Sequence, residues 1–275
     1  MKFRFLPAAL CALVLAASAC GDNIGGSLPG TLDIQIYGES FIEEGIPADV
    51  FADGWSLRFD SFLVSVGEVS ATAAGADTPA LEDDTYRIFD LAQSSSGAGF
   101  LVLSGRVPGG AYDDIAYRIA GSSSSVAGNA AAADVALMNE SGYAIYVEGQ
   151  ATRGDERRTF AWGFTTATTY RHCRSVAAID GNGASSVLTI HADHLFYDDL
   201  VSEEPSVRFD AMASADGDDD SDITTDELSA VDITGFERYQ VGSFDVTDLW
   251  TFVDHQTSTV GHIDGEGHCE LAVRD

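Results

Sequence analysis

The chain has 275 residues, 14 basic against 44 acidic side chains, a formal charge of −30 and a pI near 4.1. Acidity on this scale repels polyanions and excludes nucleic acid and anionic membrane surfaces as electrostatic partners. With 45% hydrophobic residues the chain can bury a substantial core, and the near absence of lysine (only Lys2) matches an acidic surface kept hydrated in salt.

Residues 1–19 read as a signal peptide. Lys2 and Arg4 precede an apolar run from Phe5 to Ala17 that is too short to span a bilayer. The segment ends in "ASAC", which resembles a bacterial lipobox with Cys20 as the lipidated residue. Gly21 follows it, and in typical bacterial lipoproteins a residue other than Asp there permits transfer to the outer membrane. Cysteine arithmetic agrees. Cys11 leaves with the signal, lipidation consumes Cys20, and Cys173 and Cys269 remain as one pair, expected to form a disulfide in an oxidising compartment. The expected location is the cell envelope, as an outer-membrane lipoprotein held through an N-terminal lipid anchor. Residues 20–30, "CGDNIGGSLPG", form a tether.

The body is expected over residues 31–192. "TLDIQIY" alternates apolar and polar residues, as a half-buried strand does. "FIEEGIPADVFADGW" reads as a loop. "WSLRFDSFLVSVGEVSA" alternates again, through Leu57 and Phe59 and then, after a shift, Phe62, Val64 and Val66. Strands are also expected in "TYRIFDLA", "GFLVLSGRV", "AYDDIAYRIAG", "YAIYVEGQATR", "RRTFAWGFTTATTY" and "SSVLTIHAD", with Ser/Gly/Ala loops between them. The pattern predicts an all-β fold, an antiparallel β-sandwich.

Residues 193–275 are expected to form a small α/loop cap packed on that body. "HLFYDDLV" and "DVTDLWTFVDHQTS" read as helical, the second with Val246, Leu249, Trp250 and Val253 on one face and Asp245 or Thr247 as cap. All six histidines lie between residues 172 and 268. His191 and His194 are three apart, where one helical turn puts both on one face. His262 and His268 form a second cluster, with Asp264 and Glu266 as further candidate ligands beside Cys269. The disulfide would tie "RHC" to "GHC" and bring His172 towards His268. Imidazoles with carboxylates suit copper or zinc.

Between these clusters lies "DGDDDSDITTDEL", residues 216–228, with seven carboxylates in thirteen residues. A calcium loop of the EF-hand type takes oxygens from positions 1, 3, 5, 7, 9 and 12 and an apolar residue at 8. With Asp216 at position 1, those positions are Asp218, Asp220, Asp222, Thr224 and Glu227, and Ile223 falls at position 8. Ser221 stands at position 6, where the turn calls for φ > 0 and usually for Gly. The twelve residues resemble an EF-hand calcium loop, and a lone loop of this kind is expected to brace a fold through Ca2+.

A remote resemblance extends along the chain. "FDLA", "GRVPGGAYDDIAYRIAG", "GYAIYVEGQ", "FAWGF", "HC" and "HADHLF", in this order behind a lipobox, are similar to the methanobactin-associated periplasmic copper-binding proteins, the MbnP-like group. The resemblance implies a β fold and copper held by histidines and by an oxidised Trp made by a partner haem enzyme, with Trp162 the candidate. The chain has only two cysteines after Cys20, where that group has a four-Cys motif, and the calcium loop is extra. No P-loop, dinucleotide-binding glycine fingerprint or G-x-S-x-G is found, and Asp193/His194 and Asp254/His255 fall into no ordered triad, so no catalytic role is expected. The expected function is a calcium-binding, lipid-anchored envelope protein with a binding or structural role and an unnamed protein or glycan partner. The alternatives are copper or zinc handling by the histidines, and then a hydrolase.

Overall fold

The computed structural model of the chain describes residues 27–272, so the signal segment, Cys20 and most of the tether lie outside the described residues. Strand β1 (Gly30–Tyr37), helix α1 (Glu39–Glu43) and strand β2 (Ser56–Thr72) open the fold. They are followed by β3 (Leu81–Asp83), β4 (Arg87–Asp90), β5 (Phe100–Val107), β6 (Gly110–Tyr112), β7 (Asp114–Ile119), β8 (Val126–Ala127) and α2 (Ala132–Ser141). The body continues with β9 (Ile145–Arg153), β10 (Glu156–Phe164), β11 (Thr168–Cys173), β12 (Ala177–Ile179) and β13 (Ala184–Ile190). The C-terminal part holds α3 (Asp210–Ala213), β14 (Asp222–Ile223), α4 (Thr225–Ala230), α5 (Leu249–Gln256), β15 (Gly261–Ile263) and β16 (Glu270–Ala272).

The fold is all-β and sandwich-like. A large sheet runs β14-β10-β9-β2-β7-β11-β16, with β3 and β4 also on β2, and a smaller one runs β15-β13-β1-β5. Strand β2 spans 17 residues and carries two irregularities, one between Phe59 and Ser61 and one between Gly67 and Ser70. Each bulge slips the pleat by one residue and re-aims the side chains that follow. The first explains why Leu57 and Phe59 point inward and then Phe62, Val64 and Val66 do so. These residues join Leu32, Ile34 and Ile36 of β1 in one buried core. Leu63 faces the other way, into a second small cluster with Ile88, Ala130 and Met138 beneath α2.

The pairing departs from a purely antiparallel sandwich at β1–β13, β10–β14 and β4–β8, which are parallel. Strands far apart in the chain need no hairpin and are free to pair in either sense. The C-terminal residues do more than cap the body, since β14 and β16 extend the large sheet and β15 the small one. The "HLFYDDLV" segment forms only a short 3-10 turn, Asp193–Phe196, after which the chain runs extended. Helix α5 forms as expected but is capped by Asp248, whose side chain accepts from Thr251 N. Helix α2 arises in a stretch that reads as a Ser/Ala loop, where alanine's helix preference and the Leu63–Ile88 contact outweigh the lack of a side-chain cap.

Candidate metal centre

The smaller sheet places the histidines. In the parallel β1–β13 pair Tyr37 lies opposite Thr189, and two residues further on, just past the end of each strand, stand Glu39 at the start of α1 and His191. Strand β15 runs antiparallel to β13 on its other side, with His262 opposite Thr189. His191 N donates to Val260 O at 2.9 Å, which seals the exit of β13 to the entry of β15. The 3-10 turn then swings His194 back. His191, His194 and His262 come together with ring centroids 4.5–5.3 Å apart.

Each of the three rings has one nitrogen to spare. His194 Nδ1 lies 3.1 Å from Thr259 Oγ1, whose own proton goes to Gln256 O. Thr259 can therefore only accept, so His194 Nδ1 carries the hydrogen and Nε2 presents a lone pair. His191 Nδ1 sits 3.7 Å from Glu39 Oε2, while its Nε2 is buried with no hydrogen-bond partner. His262 Nδ1 is likewise buried and unpartnered. Carboxylates complete the cluster. One ligand atom each from His191, Asp193 and His194 lies within 4.8 Å of the others, and the same holds for His191, His262 and Glu266. Asp193 accepts from Tyr197 Oη on one oxygen and leaves the other buried and unpartnered.

Burial holds the His194 pKa down to about 3, aided by the neighbouring His262 and His191. Burial likewise takes His262 to about 4, with His191 and His268 adding repulsion. Burial raises the carboxyls of Asp193 and Glu39, the latter opposed by His191. Neutral imidazoles with free lone pairs are the form a metal ion takes. A cavity of about 260 Å³ opens onto His194, His262, His268 and Glu266. His268 is exposed at its mouth, 5.5 Å from His262 between ring centroids. The set fits copper or zinc better than calcium, which takes oxygen donors.

Two expected residues lie elsewhere. His172 turns to Asp114 at 3.3 Å, exposed, so the disulfide does not bring it into the cluster. Cys173 and Cys269 do form the expected bond. Asp264 is a staple rather than a free ligand: its two oxygens accept from Ser175 Oγ, Ser186 Oγ and Val187 N at 2.7–3.2 Å. Glu39 escaped the sequence reading because it lies far along the chain from the histidines. The only signal was its place just past the end of "TLDIQIY".

In the acidic loop, Asp216, Asp218 and Asp220 converge, with one oxygen from each within 4.8 Å of the others. The remaining expected ligands are engaged otherwise. Asp222 Oδ1 accepts from Thr159 Oγ1 at 2.8 Å, and Thr224 and Glu227 form a reciprocal capping box at the start of α4. Those hydrogen bonds, with one from Gly217 N, hold the Glu227 carboxyl below its usual range. Trp162 is fully buried, and its indole Nε1 donates to Ile223 O at 2.7 Å, so it serves the acidic loop and does not line the histidine cavity. No protein-family model, curated protein or solved structure matches this chain.

Proposed function

We propose that this chain is an exported metal-binding protein whose centre holds copper or zinc through His191, His194 and His262. Asp193, Glu266 and His268 supply further donors at the same place. The observation that carries the reading is the meeting of three imidazoles with free ring nitrogens, two of them buried without a partner. Leaving such nitrogens unpaired costs about 1–3 kcal/mol each, and a bound cation removes that cost. The geometry thus favours the histidines over calcium as the functional centre. The open cavity leaves room for exchange of the ion or for an added ligand. The lipobox-like "ASAC" supports an envelope location through Cys20.

Metal analysis of protein purified without chelator tests this. About one equivalent of copper or zinc is expected, lost in His191→Ala/His194→Ala while the fold persists by circular dichroism. Equal metal content in the double variant would overturn it. Membrane fractionation of Cys20→Ser tests the anchor: release or an unprocessed precursor is expected, and normal retention would count against it.

A further inference from the structure

We propose that residues 216–227 form a calcium site that stands apart from the histidine centre, takes its partner strand from the edge of the large sheet, and is neutralised by Arg158 when the ion is absent. The first support is the clustering of Asp216, Asp218 and Asp220. Clustered acids alone do not make a site, because exposed carboxylates are comfortable in water. Asp216 is different. Its side chain is only 4% exposed, and its Oδ1 is buried with no hydrogen-bond partner. A buried carboxylate oxygen without a donor is an acceptor waiting for a proton or a cation.

Its other oxygen shows what stands in for the cation. Asp216 Oδ2 accepts from Ser221 N at 3.2 Å, and Arg158 Nε lies 3.2 Å away, within ion-pair range though its N–H is not aligned for a hydrogen bond. The guanidinium offsets one of several converging negative charges. Ser221 takes φ +73, so the chain turns where an oxygen cage of this spacing must turn.

The sheet edge supplies the remaining rigidity. Loops of this kind are ordinarily steadied by a second loop alongside, and here β10 takes that place. Asp222 and Ile223 pair with Thr159 and Phe160, Thr159 N donates to Ser221 O at 2.8 Å, and Trp162 Nε1 donates to Ile223 O. Arg158 belongs to the same strand as this clamp. The all-oxygen donor set selects a hard cation, and the loop's breadth favours calcium over magnesium.

Calcium titration of the chelator-stripped full protein by calorimetry, with thermal unfolding alongside, tests the proposal. One equivalent of calcium should bind and raise the melting temperature, with magnesium weaker. Asp218→Asn, an exposed change, should weaken binding about tenfold or more, because affinity follows ligand charge. Arg158→Met should bind calcium several-fold more tightly, since it removes a like charge beside the ion, and should melt lower without calcium. The His191→Ala/His194→Ala variant should bind calcium as the parent does, which separates this site from the histidine centre. No binding at millimolar calcium, undiminished binding in Asp218→Asn, or tighter magnesium than calcium would each overturn the site. Equal or weaker calcium binding in Arg158→Met would overturn the role of Arg158.

Discussion

Glu39 carries an unusual conformation for a reason that the site supplies. Its φ is +54, a left-handed backbone that costs a residue with a Cβ about 1–2 kcal/mol. That strain places its carboxylate beside His191 Nδ1. A carboxylate behind a metal-bound imidazole fixes the ring and raises its basicity, and losing such a partner typically costs about 10–100-fold in metal affinity. Glu39→Ala should therefore weaken copper or zinc binding by that factor, with Glu39→Gln intermediate, in competition against a chromophoric chelator. Unchanged affinity in both would leave Glu39 a bystander. Protons give a second residue-scale prediction. His194 and His262 titrate well below the value of about 6.5 that they have when unfolded. The unfolded chain therefore takes up protons first as pH falls, and metal-free stability should drop from about pH 6.5 towards 5. Asp193 and Glu39, whose carboxyls burial raises, act in the opposite sense and reduce the slope. Urea unfolding of the metal-free protein across that window would show the slope, and a flat profile would contradict it.

Among the elements, β14 is one of the two shortest strands and depends wholly on its neighbours. It is two residues long and adds to the open edge of β10. Trp162→Phe keeps the ring packing on Phe160 but leaves Ile223 O, on a fully buried residue, without a donor. It should cost about 1–3 kcal/mol in chemical denaturation and loosen the acidic loop. A loss below about 0.5 kcal/mol would mean that water replaces the indole. The contrast with β2 shows what could be read beforehand. The slip between Phe59 and Phe62 is written in the apolar pattern, because a bulge shifts a period of two and leaves a visible mark. The partner of β14 is written nowhere locally, since "DI" has no pattern and its place depends on a strand 63 residues earlier. The clustering of His191 with His262 was half legible. Each cluster could be seen, but their meeting required the β13–β15 pairing. The acidic loop's spacing was visible throughout, while its use of Thr224 and Glu227 as a helix cap was hidden, because cap and ligand call for the same residue types.

The molecule as a whole is held shut by one covalent bond. Cys173 and Cys269 are 96 residues apart, and the bond joins the end of β11 to the segment that carries His268. Closing a loop of that length removes about 4–5 kcal/mol of freedom from the unfolded chain on the entropy model. Cys173→Ser/Cys269→Ser should lose stability of that order in guanidinium unfolding, and a loss under about 1 kcal/mol would refute the account. Metal affinity should suffer less, since His191, His194 and His262 are set by the small sheet and not by the bond.

The parallel pairing of β1 with β13 also imposes an order in time. Glu39 leaves the ribosome long before His191, and His262 later still, yet all three must lie close together at one end of the small sheet. No fragment that ends before His262 holds the complete donor set. Contacts this distant in sequence also form late and slowly in folding. An ion that needs all of them can settle only after β15 has joined β13 and β1. A loaded centre would then report that these three distant segments have closed on one another.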